Sequence, residues 1–150
     1  MHGLSTTQLN AIATATLDRL DASKLSTSQV AGLTTTAIGN LTTTQVGALT
    51  AAEVGALTLA NLNTLTTTEI GGLTTTQAGG LTASQVTGMT NFTSLTSQTG
   101  IPGLSVSAIA GLTTTEIGNL TTTQGHAFTL SQVSSMSVAQ ANALATLFGA

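Results

Sequence analysis

Residues 41–48 read L-T-T-T-Q-V-G-A, and near-copies of this stretch fill most of the chain at a period of eight residues. We number the positions of this octad 1 to 8. Position 1 is Leu, position 2 is Thr or Ser, position 5 is Gln or Glu, and position 6 is Ile or Val. Position 7 is often Gly. Further copies begin at Leu49, Leu65, Leu73, Leu81 and Leu112.

The spacing of positions 2 and 5 is that of a capping box, in which a hydroxyl residue is followed three residues later by Glu or Gln. The hydroxyl accepts a hydrogen bond from the backbone of position 5, and the side chain of position 5 accepts one from the backbone of position 2. The repeated pattern therefore predicts a helix start in each octad that carries it. The pairs are Ser5/Gln8, Ser26/Gln29, Thr42/Gln45, Thr50/Glu53, Thr66/Glu69, Thr74/Gln77, Thr82/Gln85, Thr113/Glu116, Thr121/Gln124, Thr129/Gln132 and Ser137/Gln140.

The remaining positions fit the same short helix. The apolar residues at positions 1 and 6 form a hydrophobic staple across the helix start. Glycine at position 7 predicts a left-handed residue that ends the helix. Small residues at positions 7 and 8 also allow neighbouring turns to approach closely. The glycines concerned are Gly39, Gly47, Gly55, Gly71, Gly79 and Gly118.

Two other folds compete with a stack of short helices. A single continuous helix would scatter the apolar residues around its axis, because a spacing of four drifts by about 40° per step. A β-solenoid suits the many Thr, Val and Ile residues. Strands, however, require alternation, and positions 1 and 6 would lie on opposite faces. We therefore expect an all-α solenoid of one-turn helices with longer capping helices at both ends, and a β-solenoid is the alternative.

The chain is expected to form a single repeat domain over residues 1–150. Residues 1–24 form the N-terminal cap, in which Leu4, Leu9, Ile12, Leu17 and Leu20, with Ala11, Ala13 and Ala15, favour a longer helix. Asp18, Arg19, Asp21 and Lys24 make this cap polar. Octads fill residues 25–89 and 104–137, and residues 138–150 form the C-terminal cap.

Residues 90–103 break the repeat. Phe92, Leu95 and Ile101 are out of phase, and Gly100, Pro102 and Gly103 indicate a turn. The stretch that starts at Met89 and ends before Leu104 has fifteen residues, where two octads would take sixteen. This pattern favours a kink or bulged loop within one continuous solenoid, and a split into two domains is the alternative.

The composition excludes several classes of function. The 150 residues include two Lys or Arg and five Asp or Glu, so a basic surface for nucleic acid or anionic membrane is not expected. There is no Cys, which excludes disulfides and thiolate metal sites. Polar residues interrupt every apolar stretch, so membrane insertion is not expected. Residues 1–3 show no pattern of a signal peptide.

The residues that could carry chemistry have structural explanations. Met89, Phe128 and Met136 occupy position 1 and are expected to replace Leu in the core. Glu53, Glu69 and Glu116 occupy position 5, where a carboxylate near a helix start is favoured. No carboxylate pair for acid–base catalysis is therefore expected.

The Ser and Thr residues could serve as nucleophiles only beside a base. His2 and His126 are the two histidines, and His126 lies in an unusual octad in which Gly125 occupies position 6. No Asp lies near His126 in sequence to orient it. We assign no catalytic, cofactor-binding or metal-binding residue, and we do not expect an enzyme.

The Thr residues at positions 3 and 4 are expected to face solvent and to stack from octad to octad. They form either a neutral polar coat or a regular hydroxyl array that binds ice or carbohydrate. Ice binding would favour the flat sheet of the β-solenoid alternative. These residues are Thr43, Thr44, Thr67, Thr68, Thr75, Thr76, Thr114 and Thr115.

The run L-T-T-T-Q-V-G-A-L-T-A-A-E-V-G-A at residues 41–56 resembles the LTTxQ(I/V)xAL tandem repeats of large bacterial exoproteins, which are often labelled surface, adhesion or haem-utilisation proteins. The resemblance covers residues 25–88 and 104–140. It implies a spacer or adhesive module outside the cell or at its surface. Its partners would be further copies joined end to end, other surface proteins, or glycans. Haem binding has no support beyond His126, a lone candidate ligand.

Overall fold

The computed structural model describes residues 3–12, 16 and 19–149, and within these ranges there is no β-strand. The predicted all-α solenoid is confirmed, and the β-solenoid alternative is wrong. The α-helices are Thr6–Asn10, Thr27–Ala31, Thr35–Gly39, Thr43–Gly47, Ala51–Ala56, Leu59–Leu62, Thr67–Gly71, Thr75–Ala78, Ala83–Gly88, Gly100–Gly103, Val106–Ile109, Thr114–Gly118, Thr122–Gly125, Leu130–Ser135 and Val138–Thr146, with 3₁₀ turns at Ala22–Lys24 and Phe92–Ser94.

The predicted capping boxes are present at all eleven pairs. In the octad at Leu41, the Thr42 amide donates to Gln45 Oε1 at 2.9 Å, and the Gln45 amide donates to Thr42 Oγ1 at 3.3 Å. Thr42 itself is extended, with φ −75° and ψ 157°. Each octad therefore begins its helix at position 3, because the side chains of positions 2 and 5 satisfy amides that a helix start leaves free.

The helices do not end as predicted. Among the described residues, Gly149 alone has a positive φ, so the left-handed glycines expected at position 7 are not left-handed. Gly47 is instead the last helical residue, and Ala48 keeps a right-handed conformation. The amides of Ala48 and Leu49 donate to the carbonyls three residues earlier, at 3.1 and 3.2 Å. This tight final turn satisfies the last carbonyls without a left-handed residue.

Three octads form one coil of the solenoid. The helix Thr27–Ala31 contacts Ala51–Ala56, which in turn contacts Thr75–Ala78, and these helices lie three octads apart. The solenoid therefore has three sides. Side A comprises octads 33–40, 57–64, 81–88, 104–111 and 128–135; side B comprises 41–48, 65–72, 112–119 and 136–143; side C comprises 25–32, 49–56, 73–80 and 120–127.

The core is one connected cluster that extends from Leu9 to Leu144. Positions 1 and 6 supply it, as the staple predicts, and both are buried in octad after octad. Met89 and Phe128 are buried at position 1, and Met136 packs against the cluster partly buried, so they replace Leu as expected.

The break at residues 90–103 keeps the core intact. Phe92, Leu95 and Ile101 are buried in the same cluster as the octads on either side. The turn Phe92–Ser94 contacts Thr67–Gly71 of side B, and the helix Gly100–Gly103 contacts Thr75–Ala78 of side C. Residues 89–103 thus cover two sides of a coil with one residue fewer than two octads.

The two ends differ from each other. The predicted C-terminal capping helix is present as Val138–Thr146, nine residues long. At the N-terminus the helix Thr6–Asn10 ends early, because residues 4–11 are themselves an octad with Ser5 as the cap. The described residues of the N-terminal cap therefore show no longer helix. They contain the helix Thr6–Asn10 and the 3₁₀ turn Ala22–Lys24. Ala13, Ala15, Leu17 and Asp18 of the predicted cap lie outside the described residues.

Candidate functional site

The amide side chain at position 5 joins two coils, a feature we call the corner clamp. Gln77 Oε1 accepts a hydrogen bond from the Thr74 amide at 3.0 Å, which is the capping-box contact. Gln77 Nε2 donates to the carbonyls of Val46 at 3.0 Å and Leu49 at 2.8 Å. These carbonyls lie 31 and 28 residues earlier, at the corner between sides B and C of the preceding coil. One buried amide therefore caps its own helix and holds the coil below.

The corner clamp recurs along the solenoid. Gln85 Nε2 donates to Val54 and Leu57, each at 2.9 Å. The same nitrogen of Gln124, Gln132 and Gln140 donates to two carbonyls of the preceding coil. All these glutamines are buried, and a buried amide is costly unless its donors and acceptors are paired. The clamps meet this requirement at corner after corner.

Other side chains replace the glutamine donor where the octad is irregular. Asn61 Nδ2 donates to the Leu33 carbonyl at 2.8 Å, and Asn91 Nδ2 donates to that of Leu65 at 3.0 Å. In the break, Thr99 Oγ1 donates to the Leu73 carbonyl at 2.9 Å. The carbonyl of position 1 is thus the common acceptor, whichever residue supplies the donor.

Glutamate at position 5 caps its own helix but does not form the hydrogen bonds to the preceding coil. Glu53 is buried and accepts a hydrogen bond from the Thr50 amide at 2.7 Å. Glu69 and Glu116 accept from Thr66 and Thr113 in the same way, which confirms their capping place. An ionised carboxylate has no hydrogen to donate, so it cannot clamp the carbonyls of the coil below.

In two octads, an asparagine at position 7 caps the start of a helix or turn in the following coil. Asn10 Nδ2 donates to the Gly32 carbonyl at 2.9 Å, and Asn10 Oδ1 accepts from the Thr34 amide at 2.9 Å. The octad that begins at Leu33 has Ala37 at position 5, so it has no capping amide of its own. Asn63 makes the same pair of bonds to the next such corner, with Gly88 and Thr90.

The glycines of side C lie where the backbones of successive coils meet. A Cβ added to Gly80 would overlap the Ala51 carbonyl oxygen, and one added to Gly55 would lie 2.6 Å from the Gly80 oxygen. A Cβ added to Gly103 would lie 2.5 Å from the Thr75 carbonyl oxygen. The predicted close approach at positions 7 and 8 is therefore present on this side, and also at Gly111 of side A, where a Cβ would overlap the Ala83 oxygen. A Cβ on Gly47 or Gly118 of side B would meet nothing within 4 Å.

His126 is exposed, and its Nδ1 lies 2.9 Å from the Thr122 carbonyl oxygen. Its ring centroid is 4.3 Å from that of Phe148. Because a carbonyl oxygen can only accept, Nδ1 is the donor of this bond, and the ring packs on an aromatic side chain. His2, the other candidate base, lies outside the described residues. Within residues 3–12, 16 and 19–149, no three His, Asp or Glu residues are grouped so that they could hold a metal ion.

The Thr residues at positions 3 and 4 are exposed, as predicted, and those named above all belong to sides B and C. Successive octads of one side are one coil apart. Packed helices lie about 8–10 Å apart, whereas strands lie about 4.8 Å apart. The close hydroxyl ranks that the ice-binding hypothesis required therefore do not form on this solenoid.

One comparison with known proteins finds a relationship. The family model described as the ALTTAQ repeat matches residues 22–59, which contain the octads that begin at Leu25, Leu33, Leu41 and Leu49. This part of the chain is a tandem-repeat module. No curated protein matches the chain, and no solved structure matches it. Among the described residues, no helix has the length and apolar character needed to cross a membrane.

Proposed function

We propose that the chain is a non-enzymatic structural module, a rigid spacer or adhesive segment of an extracellular or cell-surface protein. The corner clamp is the observation that carries this proposal. Gln77 uses its oxygen for its own helix and its nitrogen for the coil below. The repeated polar side chains of the interior are thus used to assemble the rod, which supports a mechanical role.

The packing of the coils supports rigidity. Helices of one side contact each other from coil to coil, as Thr27–Ala31, Ala51–Ala56 and Thr75–Ala78 do. In such a stack the stability of the rod is approximately the sum of the stabilities of its coils and of the interfaces between them. The clamps cross these interfaces at one corner after another. A rod of this kind keeps a fixed distance between whatever is attached to its two ends.

The setting outside the cell is supported by sequence likeness alone. Residues 41–56 resemble repeats of large bacterial exoproteins. The ALTTAQ repeat match at residues 22–59 supports the tandem-repeat character of this stretch. A spacer in such a protein would hold a binding domain away from the cell. Its partners would be neighbouring repeats, other surface proteins or glycans.

The distance between two spin labels tests the spacer. Thr27 and Thr122 are both exposed at position 3 of side C, four coils apart, and the chain has no cysteine. Labels on the Thr27→Cys/Thr122→Cys variant are expected to give one narrow distance peak at roughly 32–40 Å, from about 8–10 Å per coil. A broad distribution in the folded protein would show a flexible chain and would overturn the spacer proposal.

Carbohydrate binding is a second candidate, favoured by the exposure of the Thr columns. Thr75 and Thr76 are both exposed beside each other on side C. The Thr75→Val/Thr76→Val variant removes two hydroxyls at almost constant shape. Binding on a glycan array that the wild type shows and this folded variant loses would favour the carbohydrate candidate over a simple spacer.

A further inference from the structure

Four successive octads of side A carry an apolar residue at position 3, where the other two sides carry threonine in most octads. In the octads of side B position 3 is Thr43, Thr67, Thr114 and Val138, and in those of side C it is Thr27, Ala51, Thr75 and Thr122. On side A it is Thr35 in the first octad, followed by Leu59, Ala83, Val106 and Leu130, and we call these last four residues the apolar column. Leu59, Val106 and Leu130 are 40%, 49% and 83% exposed.

The apolar column is continuous over four successive coils. The helices Leu59–Leu62, Ala83–Gly88, Val106–Ile109 and Leu130–Ser135 each contact the next one in this order. The Leu59 side chain leans against the neighbouring coil, since a Cβ on Gly88 would overlap it. The column is therefore a strip on one face, and its residues are close neighbours although they are far apart in sequence.

Side A also carries no charge. None of its five octads, 33–40, 57–64, 81–88, 104–111 and 128–135, contains Asp, Glu, Lys, Arg or His. Glu53, Glu69 and Glu116 all lie on sides B and C. An exposed apolar strip on an uncharged face is typical of a surface that is covered by a partner. A charged partner would lose hydration against this face and gain no ion pair.

We propose that side A is a self-association surface on which a second copy of this chain docks, side A against side A. Two uncharged faces meet without like-charge repulsion, and each apolar column covers the other. The described surface measures 7008 Å², so one of three sides is on the order of 2,000 Å², above the ~800 Å² per partner of a typical interface. The same patch on both copies makes a closed, two-fold pair. The spacer would then be a double rod.

Sedimentation velocity over a concentration series tests the pairing. The wild type is expected to form dimers that dissociate on dilution. In the Val106→Thr/Leu130→Thr variant, each residue becomes the threonine that the chain uses at position 3 elsewhere. This variant is expected to raise the dimer dissociation constant by about tenfold or more, because it removes apolar side chains from both copies.

The matched control lies on side B. Val138 occupies position 3 there and is 79% exposed, so Val138→Thr is the same kind of change on another face. It is expected to leave the dissociation constant unchanged. A wild type that stays monomeric throughout the series would overturn the proposal. An equal weakening by Val138→Thr, or growth into longer oligomers that the side A variant does not affect, would also overturn it.

Cross-linking locates the contact directly. Leu59→Cys/Leu130→Cys places two thiols three coils apart on side A, and Thr67→Cys/Val138→Cys places two at the same spacing on side B. A short bis-maleimide is expected to give covalent dimers with the side A pair, whether the copies are parallel or antiparallel. Equal or stronger cross-linking by the side B pair would contradict the proposal.

Discussion

Gln77 donates a hydrogen bond from Nε2 to the carbonyl of Leu49, 28 residues earlier, at 2.8 Å, while Oε1 of the same amide caps the helix that begins after Thr74. This side chain therefore both caps its own helix and binds the preceding coil. The oxygen could be supplied by a carboxylate, but the nitrogen could not. The choice between Gln and Glu at position 5 therefore decides whether a coil is fastened to the one below it.

Gln77→Glu keeps the cap and removes the donor. Gln77 is 3% exposed, so the carbonyls of Val46 and Leu49 would face a carboxylate in the interior. We expect a loss of about 1–3 kcal/mol in the free energy of unfolding, the cost of leaving buried groups unpaired. Urea unfolding followed by circular dichroism measures it. The control is Gln8→Glu, because Gln8 is exposed and caps Ser5, and little change there is expected.

Glu53→Gln is the reverse change and is expected to stabilise the solenoid. Glu53 is buried at position 5, and a glutamine there would direct a donor at the preceding corner, as Gln77 and Gln85 do. A gain of about 1 kcal/mol is the typical net value of one hydrogen bond. Thermal unfolding of wild type and variant compares them. A lower midpoint for the variant would contradict the clamp as the reason for glutamine at this position.

Asn10→Ala removes a cap that is supplied from another coil. The Thr34 amide would lose its acceptor Asn10 Oδ1, and a loss of about 1 kcal/mol is expected. Ala37→Gln adds a capping amide within the octad itself and should recover most of this loss. A double-mutant cycle in urea measures the coupling. Purely additive effects would show that the two residues do not serve the same amide.

Gly80→Ala and Gly118→Ala are expected to act in opposite directions. A Cβ on Gly80 would overlap the Ala51 carbonyl, so the coils of side C would have to separate. The midpoint of unfolding should fall by several degrees. A Cβ on Gly118 meets nothing within 4 Å, and the residue ends a helix, so a gain of up to about 1 kcal/mol is expected. Both are measured by thermal unfolding.

The Asp21 carboxyl is expected to have a lower pKa than an ordinary aspartate. Ser23 Oγ donates to Asp21 Oδ1 at 2.6 Å, and this bond, with one from the Ser23 amide, lowers the pKa of the carboxyl. A lowered folded-state pKa means that the contribution to stability is present above the unfolded pKa and disappears as pH falls through the folded value. Carbon NMR of the carboxyl against pH measures it, and Ser23→Ala should raise the pKa.

The local part of the fold was predictable because capping is a relation between residues three apart. All eleven capping boxes form, and the exposed Thr residues at positions 3 and 4 follow from them. The helix ends were predicted wrongly, because glycine suits both a left-handed cap and a close approach of backbones. At Gly55 the structure uses the second property, with the Gly80 oxygen as the neighbour.

The corner clamp was not predicted because a period of eight does not reveal how many octads complete a coil. The sequence does carry a signal for it. Glutamine outnumbers glutamate at position 5, although a capping box accepts either residue. That preference indicates a need for a donor. The apolar column was not predicted for the same reason, since Leu59 and Leu130 lie on one strip only when three octads make a coil.

Because three octads make one coil, the number of octads that precede a residue determines the side of the solenoid on which it lies. Adding or removing three octads would leave every later residue on its own side, whereas a single octad would rotate all of them by one side. The break loses one residue rather than one octad, and Val106 therefore still lies on the coil next to Ala83. Chains built from this repeat can vary in length freely, but their faces stay aligned only when the length changes by whole coils.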